Sequence, residues 1–494
     1  MSPTTMVQTE LPTESHARRR TALHGALPLA VALALGGCMV GPDYVRPTAP
    51  TPAAYKEAAG WKVAQPADDA PKGAWWEAFN DADLNALEAQ VDVSNQTLAA
   101  AAARVREATA ATDAARAALW PVVNVSGTAQ RNSVSSAQSG GTGSSGSNSS
   151  YNVLFGASWE PDLWGGIRRN IESNSDAAQA SAADLAAARL SVQATLAQTY
   201  LLLRVQDAQL DLLRQTVAAY ERSLQLTRNQ YAAGIIARGD VAQAEAQLKS
   251  TQAQVFDAQI TRAQLEHAVA VLVGKPPAEL TIAARELAAV YPDVPVAVPS
   301  ALLERRPDIA AAERRAASAN AQIGVAQAAF FPALTLSANA GLQSSVIGSL
   351  LSLPNRYWSL GATLAQTLFD AGLRSAQKTQ AIATYDETVA GYRQTVLTGF
   401  QEVEDNLVAL SLLEQEAAVQ DAAVAAARES AAIALNQYKA GTANYLAVVV
   451  LQANALNSER TSLGILGRRL TASVGLVKAL GGGWSAATLA SASP

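Results

Sequence analysis

The chain has 494 residues and a formal net charge of −5, and only 5% of its residues are aromatic and 16% charged. Three histidines and one cysteine in this length argue against a metalloenzyme or a histidine-based acid–base catalyst, so no metal or other cofactor is expected. No basic stripe with interleaved aromatic residues is present, which argues against nucleic-acid binding. The length exceeds what one compact core needs, so we expect several domains or an elongated form.

The N-terminus has the features of a secretion signal with a lipid-attachment motif. Arginines at 18–20 precede an apolar run at 22–35, which is too short to span a bilayer permanently and is typical of a signal-peptide core. The run ends in Leu35-Gly36-Gly37-Cys38, which resembles the bacterial lipobox. In that class of signals the cysteine thiol receives a diacylglyceryl group, and cleavage makes the cysteine the new, N-acylated terminus. The alternative is an ordinary secretory peptide with an incidental buried cysteine.

Two features after the lipobox bear on the destination. Residue 39 is Met rather than Asp, which by analogy with bacterial sorting favours the outer membrane over retention in the inner membrane. No stretch of about 18 apolar residues follows Cys38, so no transmembrane helix is predicted in the mature chain.

The chain contains an internal duplication. The hexapeptide NQYAAG at 229–234 is repeated as NQYKAG at 436–441, 207 residues later. Upstream of each copy, a mainly apolar position recurs every seven residues, which is typical of a helix packed along another helix. These positions are Leu196, Leu203, Leu210, Val217, Leu224 and Tyr231 in the first half, and Val403, Leu410, Ala417, Val424, Ala431 and Tyr438 in the second.

Each hexapeptide is predicted to form the tip of a long antiparallel helical hairpin. The first helix begins near Asn170 and has about 60 residues, or roughly 90 Å at 1.5 Å per residue. Gly234 and Gly441 fit the left-handed position that ends a helix, and a new helical pattern follows each glycine.

Two pairs of strands complete the duplication. Residues 115–130 parallel 326–341, and in both an alanine-rich helix ends before a proline, Pro121 or Pro332. Residues 152–166 parallel 357–372, and a polar Gly/Ser-rich loop at 133–150 separates the first pair of strands. Each half therefore reads as helix, strand, loop, strand, long helix, tip and helix.

The strands alternate small polar residues with apolar or aromatic ones, a period of two that suits a membrane β-barrel. Six aromatic residues are candidates for interfacial girdles: Trp120, Trp159, Trp164, Tyr357, Trp358 and Phe369. The alternative is a half-buried sheet in a soluble protein. Four strands cannot close a barrel, and free edges invite pairing, so we expect the chain to share a barrel with copies of itself.

These features resemble the TolC-like outer membrane factors, in their efflux lipoprotein branch. The resemblance covers nearly all of the mature chain and is most specific at 301–338, with further matches in GPDYVRP (41–47), WW (75–76) and QYKAGTANYL (437–446). Within 301–338 a charged group is interpreted as a solvated helix start with Asp308 near the N-terminal dipole. Its other members are Arg305, Arg306, Glu313 and Arg314.

The resemblance implies a mainly α-helical fold with a membrane β-barrel portion. Three chains would form a twelve-stranded barrel continuous with a periplasmic tunnel of twelve helices, with an equatorial region around 50–90, 274–300 and the C-terminus. The expected division begins with a signal peptide at 1–37 and a lipidated and equatorial segment at 38–90. The first repeat is expected at 91–273, with strands at about 121–131 and 151–161 and a tip at 229–237, and a linker follows at 274–300. The second repeat is expected at 301–478, with strands at about 332–344 and 356–369 and a tip at 436–446, and a tail follows at 479–494.

The implied function is that of a passive exit duct in the outer membrane. The energy would come from an inner-membrane proton-driven pump of the RND type, joined through a periplasmic adaptor that meets the hairpin tips at Gly234 and Gly441. The cargo would be small amphiphiles such as drugs, dyes or solvents, and outer-membrane lipid would surround the barrel. The sequence VGKPP at 273–277 is not a phosphate-binding loop, and no nucleophile motif indicates an enzyme.

By the same resemblance, the second hairpin lines a periplasmic aperture. Tyr438, Asn444, Tyr445 and Leu446 match the family's tip, and Gln452 follows on the inner helix. The tyrosine hydroxyls and the Asn amide are predicted to hydrogen-bond across neighbouring hairpins. Many members carry an acidic residue where this chain has Val450, which either gates by dewetting or is plain interhelical packing.

Two other functions are compatible with parts of this pattern. One is an exit duct of a type I protein secretion system, which has the same architecture. The other is a lipid-anchored periplasmic coiled-coil scaffold without a pore, which explains the helices and Cys38 but leaves the strand pairs without a role.

Overall fold

The computed structural model of the protein describes residues 39–58, 74–134, 146–285 and 305–484. The signal peptide, Cys38 and parts of the expected linker and tail lie outside these ranges. The chain forms two compact units. The first unit takes its described residues from the ranges 1–46, 108–177 and 316–387, and the second from 47–107, 178–315 and 388–494.

Eleven helices and strands make up the described chain, besides short 3-10 turns. The helices are α1 (Ala82–Ser94), α2 (Gln96–Ala117), α3 (Gly166–Ala232), α4 (Arg238–Leu272), α5 (Pro307–Ala328), α6 (Leu373–Lys439) and α7 (Tyr445–Ala479). The strands are β1 (Val122–Val134), β2 (Gly146–Trp159), β3 (Ala333–Ser344) and β4 (Arg356–Ala365).

The helix lengths confirm the duplication. Helices α3 and α6 have 67 residues each, and α4 and α7 have 35 each. Both pairs are offset by 207 residues, the spacing of the hexapeptides. Helix α3 begins four residues earlier than predicted, because the Asp162 carboxylate accepts hydrogen bonds from the amides of Ile167 and Arg168 in its first turn, at 3.1 and 2.9 Å.

The two hairpin turns have the same backbone geometry. Gly234 and Gly441 have φ values of +72° and +74°, which confirms the predicted left-handed position. The amide after each glycine reaches back over one turn: Ile235 donates to the Gln230 carbonyl at 3.0 Å, and Thr442 donates to the Gln437 carbonyl at 2.9 Å.

The four strands form one antiparallel sheet in the order β1-β2-β3-β4, all within the first unit. The register places apolar side chains on one face, among them Val125, Phe155, Ala340 and Trp358 in one row across the strands. The other face carries small and polar side chains, among them Asn124, Gly156, Asn339 and Ser359. The predicted alternation is therefore confirmed.

The register also corrects two details of the strand prediction. Residues 133–134 and 146–150, predicted as loop, extend the β1–β2 ladder out to the Val134–Gly146 pair, because backbone hydrogen bonds continue a hairpin whatever its serine content. Tyr357 lies one residue out of phase with the apolar face, and its hydroxyl donates to Asn152 Oδ1 at 3.1 Å on the polar face. It therefore does not share the face of Trp159 and Trp358.

The charged group in 305–314 is not a solvated helix start, which corrects the prediction. Arg306 is 6% exposed, and its guanidinium pairs with Asp308 and Glu402 at 2.6 Å each. It also donates to the Ala479 carbonyl at 3.2 Å. Glu313 is buried beside Arg314. A buried guanidinium is stable only when paired, so Arg306 ties the start of α5 to α6 and to the end of α7.

A second buried charge network lies in the second unit, between α3, α4 and the N-terminal end of α1. Arg204 is 1% exposed and pairs with Asp207 and Asp83, at 3.1 and 3.0 Å. Asp207 in turn accepts from Arg262 at 2.7 Å. Trp75 and Trp76 are buried in an apolar core that also contains Leu203 and Val205, the neighbours of Arg204 in α3.

None of the described helices combines the length and the apolar character needed to cross a membrane. Within the described residues, no group of three or more His, Cys, Asp or Glu side chains is placed to hold a metal ion.

Candidate functional site

The ends of the two hairpins pack together in one apolar cluster within the second unit. Each of the four long helices contributes two buried residues, which we call the tip cluster: Tyr220 and Leu224 from α3, Ala244 and Leu248 from α4, Ala434 and Tyr438 from α6, and Tyr445 and Val448 from α7. The periodic seam of the sequence therefore continues as a packed core up to the turns.

The aromatic residues predicted for the aperture meet inside this cluster. Tyr438 and Tyr445 pack edge to face, with ring centroids 5.1 Å apart and an interplanar angle of 61°. They are 4% and 2% exposed in the single chain. Such a contact contributes about 1 kcal/mol beyond the burial of its surface, so it holds the end of α6 to the start of α7.

Three polar atoms near the tips are buried without a hydrogen-bond partner among the described residues. They are the Tyr438 hydroxyl, Gln230 Oε1 on α3 and Gln452 Oε1 on α7. An unpaired buried polar atom costs on the order of 1–3 kcal/mol. These atoms are therefore the ones in this region with most to gain from partners outside the single chain.

Burial raises the pKa of both tip tyrosines above the ordinary value. It raises the pKa of Tyr445 to about 12, with further contributions from Tyr438, Tyr220 and Asp240. Burial, followed by the charge of Asp240, also raises the pKa of Tyr438. Both hydroxyls thus remain neutral near pH 7.

Asn444 caps the N-terminus of α7. Its Oδ1 accepts a hydrogen bond from the Ala447 amide at 3.0 Å, which satisfies one of the free amides of the first turn. Only the side-chain nitrogen of Asn444 is then left to donate to a neighbouring hairpin.

Two further aperture candidates are accessible on the surface of the chain. Leu446 and Val450 are 49% and 48% exposed, and they lie one turn apart on the same side of α7. Half-exposed aliphatic side chains at this spacing form a small apolar stripe beside the second tip.

The first tip lacks the aromatic contact and the cap. Tyr231, the counterpart of Tyr438, is 46% exposed. Ala237 occupies the place of Asn444 and makes no side-chain cap. Gly234 and Gly441 themselves face open space, since a Cβ added at either would meet nothing within 4 Å. The duplicated hairpins are therefore equal in length but different at their ends.

Sequence reasoning missed Tyr220, which lies at the centre of the tip cluster and whose hydroxyl accepts from Gln247 Nε2 at 3.2 Å. A signal was present, because a packed heptad seam has a second apolar position three residues after the first. Tyr220 lies three residues after Val217 of that seam. Cys38, the predicted lipidation site, lies outside the described residues.

The family comparison matches both halves of the chain. The sequence model described as "Outer membrane efflux protein" matches residues 87–275 and 298–482. The chain belongs to the outer membrane efflux protein family. The interruption between the two matches falls at the expected linker between the repeats.

Individual relatives agree with this assignment. The antibiotic efflux pump outer membrane protein ArpC of Pseudomonas putida is 33% identical over 462 residues, covering 93% of this chain and 95% of ArpC. The toluene efflux pump outer membrane protein TtgC, also of Pseudomonas putida, has the same identity and coverage. The solved structure of the outer-membrane channel OprN superposes with a TM-score of 0.84 at 31% identity, covering 90% of this chain and 100% of OprN.

Family membership gives the class of function and the location. The chain is an outer membrane protein of an efflux system, and its fold is that of the solved outer-membrane channel.

Proposed function

We propose that three copies of the chain form a passive duct, with a shared twelve-stranded barrel in the outer membrane and a tunnel of long helices in the periplasm. The observation that carries the proposal is the open sheet. Within the described chain, β1 pairs only with β2, and β4 pairs only with β3, so two strand edges of 13 and 10 residues are free. Free edges next to an apolar face favour pairing with further copies in a membrane.

The helices of the second unit support the same assembly. Leu412, Val419 and Ile433 of α6 are 58%, 72% and 49% exposed at spacings of 7 and 14 residues, which places them on one side of the helix. Phe256 and Ile260, one turn apart on α4, are 66% and 57% exposed. Apolar seams of this kind match what a neighbouring copy would cover.

The polar face of the sheet would line the barrel, and its small side chains leave room for cargo. We propose small apolar or amphiphilic compounds as cargo, because the relatives at 33% identity are named for antibiotic and toluene efflux. Those names favour efflux over type I protein secretion. The chain is proposed to carry out no chemical reaction, so transport energy comes from an inner-membrane RND-type pump.

A periplasmic adaptor is the proposed partner at the hairpin turns around Gly234 and Gly441. The turns share one backbone geometry, and both glycines face open space. Six turns of the same backbone geometry in a trimer would offer a repeated surface for the adaptor.

The second tip is the proposed periplasmic aperture. Its residues are Tyr438, Asn444, Tyr445, Leu446, Val450 and Gln452. The unpaired Tyr438 hydroxyl and Gln452 oxygen support hydrogen bonds made between hairpins in the closed trimer. The exposure of Val450 supports an apolar constriction rather than packing within the chain.

Cys38 is the proposed site of N-acylation and S-diacylglycerol attachment. Mass spectrometry of the mature N-terminal peptide tests this directly, with Cys38→Ser as the unmodified control.

Two experiments test the function. The purified protein should run as a heat-modifiable trimer and conduct ions in planar bilayers; a stable monomer without conductance would eliminate the duct. Deletion in the native host should raise sensitivity to drugs and the accumulation of dyes. A protein-secretion defect with unchanged sensitivity would favour the type I secretion duct instead.

A further inference from the structure

The segment 39–46 is the first part of the described chain. Its backbone is hydrogen-bonded to the rest of the first unit. The Val40 amide donates to the Trp164 carbonyl at 3.0 Å. Asn320 Nδ2 on α5 donates to the Pro42 carbonyl at 3.0 Å. Arg169 on α3 donates to the carbonyls of Val40 and Gly41 at 3.3 Å each. Three separate parts of the unit thus hold one short segment.

Arg169 is the centre of this docking. Its side chain is 1% exposed and pairs with Asp43 at 2.7 Å and with Glu172 at 2.8 Å. A buried guanidinium is costly unless its hydrogen bonds are satisfied. Because segment 39–46 supplies Asp43 and two carbonyls, the segment and Arg169 stabilise each other.

Glycines make room for the contact. A Cβ added at Gly324 on α5 would lie 2.8 Å from Cγ of Arg169, and one added at Gly41, where φ is +101°, would lie 2.5 Å from Cα of Gly324. A Cβ at Gly165 would lie 2.6 Å from Cγ of Met39. The segment is therefore in close contact with the start of α3 and the C-terminal half of α5.

The equivalent positions of the other repeat lack these features, so the fold itself does not require them. The counterpart of Arg169 is Ala376, which is exposed. The counterpart of Gly324 is Asp113, and a Cβ at Gly372, the counterpart of Gly165, would meet nothing within 4 Å. The residues that receive segment 39–46 come from both repeats, and none of these features is reproduced at the equivalent position of the other repeat.

An aromatic groove lies beside the point where the segment begins. Trp164 and Phe331 stack with centroids 4.8 Å apart and an interplanar angle of 22°, and Trp164 Nε1 donates to the Pro332 carbonyl at 2.8 Å. They line a groove of about 400 Å³ together with the apolar Ile167 and Val325 and the acidic Glu160 and Asp162, of which Asp162 is paired with Arg168. Val40 is hydrogen-bonded to Trp164 and Met39 lies against Gly165, so the first described residues are next to this groove.

We infer that residues 39–46 form a latch, closed by Arg169, that places the lipid of the N-terminal cysteine in the groove beside Trp164 and Phe331. The inference rests on the proposed lipidation of Cys38. The occupant is an acyl chain of the protein's own lipid, because the latch fixes the point of attachment at the edge of the groove. Arg169 acts on the lipid through the segment and is a positioning residue.

Hydrogen exchange of the full-length trimer tests the latch. In the wild-type, lipidated protein the Val40 amide should exchange slowly. Arg169→Gln and Gly41→Ala should each speed its exchange by about tenfold, because both release the segment, and Asp43→Asn should have a smaller effect. Gly41→Ala changes only the terminal segment, so it tests the latch even if Arg169→Gln folds poorly.

Arg116→Gln is the matched control, since Arg116 lies on α2 in the same unit, pairs with Asp113 and does not line the groove. It should leave the exchange of Val40 unchanged. Rapid exchange of the Val40 amide in the wild-type protein would overturn the inference. Slow exchange of this amide in both Arg169→Gln and Gly41→Ala would also overturn it.

A photoactivatable fatty acid, incorporated in cells, tests the destination of the lipid. Cross-links should form on the peptides that contain Trp164 and Phe331, and they should fall about fivefold in Arg169→Gln and Gly41→Ala but not in Arg116→Gln. Cross-links spread equally over the sheet in all variants would refute the placement. Cross-links at Trp164 that persist in Cys38→Ser, secreted behind a non-lipoprotein signal, would assign the groove to bulk lipid.

Dye efflux measured in the same strains separates the two claims. Intact efflux without cross-links at the groove would overturn the inference and leave the proposed function standing. If the wild-type protein supports no dye efflux, the proposed function is wrong, whatever the cross-links show.

Discussion

The side-chain amide of Asn406 on α6 occupies the space that a Cβ at Gly475 on α7 would need. Asn406 Nδ2 donates to the Glu402 carbonyl one turn earlier, at 2.6 Å, which holds the amide in place. The close approach of the two helices at this level therefore depends on a glycine.

Gly475→Ala should lower the stability of the chain by about 1–3 kcal/mol, because the new methyl group forces Asn406 or the helix to move. Gly464, also on α7, meets nothing within 4 Å, so Gly464→Ala should be neutral or stabilising by up to about 1 kcal/mol. Thermal melting followed by helical circular dichroism compares the two. Asn406→Ala should restore stability to Gly475→Ala; a failure to do so would show that the clash is not with this side chain.

Tyr438→Phe should distinguish the contribution of the ring to packing in the tip cluster from the contribution of the hydroxyl to closing the aperture. The ring contact with Tyr445 is kept, and the lost hydroxyl is a buried group with no partner among the described residues, so the stability of the single chain should rise, by up to about 1–3 kcal/mol. Tyr438→Ala should lower stability by about 3 kcal/mol through the cavity it leaves. If the hydroxyl bonds between copies, Tyr438→Phe should raise the single-channel conductance of the closed trimer. Tyr231→Phe, at the exposed counterpart, is the control and should leave conductance unchanged.

Glu88 on α1 should make the stability of the protein fall as the pH rises. Its carboxylate is fully buried without a hydrogen-bond partner among the described residues, and burial, aided by the charge of Asp92, raises its pKa from 4.5 to about 9. The folded state holds the proton more tightly than the unfolded state. The stabilisation is thus complete below about pH 4.5 and is lost as the pH rises through 9.

Glu88→Gln should flatten the melting temperature between pH 5 and pH 9 and should raise it at the alkaline end. Glu107→Gln, at an exposed position on α2, controls for the loss of a negative charge. An unchanged slope in Glu88→Gln would assign the pH dependence to another group.

The two faces of β4 should respond differently to arginine. Leu360 lies on the apolar face and pairs with Ala338, and Ser359 lies on the polar face and pairs with Asn339. Leu360→Arg should cost about 2–4 kcal/mol in the bilayer and reduce outer-membrane insertion. Ser359→Arg should insert normally and change the ion selectivity of the channel. Membrane fractionation and bilayer recordings measure the two effects; equal insertion of both variants would contradict the assignment of the faces.

Much of the architecture could be predicted from periodicity. The seven-residue seam and the repeated hexapeptide predict the hairpins, and the glycines at 234 and 441 have the expected backbone angles. The strands begin and end within a few residues of the prediction, except where β1 and β2 extend into the Ser-rich loop. These features depend on neighbours along the chain or on a pattern repeated many times.

The remaining features depend on contacts between residues far apart in sequence. Arg306 looked solvated because charges surround it in the sequence, but Glu402 and the end of α7 bury it. The burial of Arg169 depends on a segment more than 120 residues away. At the second tip, the sequence indicated Tyr438 and Tyr445 but not that Tyr220 and the first hairpin would cover them.

The equal lengths of the duplicated helices restrict how this gene can change. One residue inserted into α3 would turn everything beyond it by about 100° and advance it by about 1.5 Å, so Tyr220 and Leu224 would no longer meet the residues of α6 and α7. Insertions and deletions should therefore survive only as matched changes in the helices of both hairpins, because even a whole heptad in α3 alone would advance Tyr220 by about 10.5 Å past its partners. Substitutions at the turns leave the lengths of the helices unchanged. The two hairpin ends can therefore differ in sequence while the helices stay equal in length.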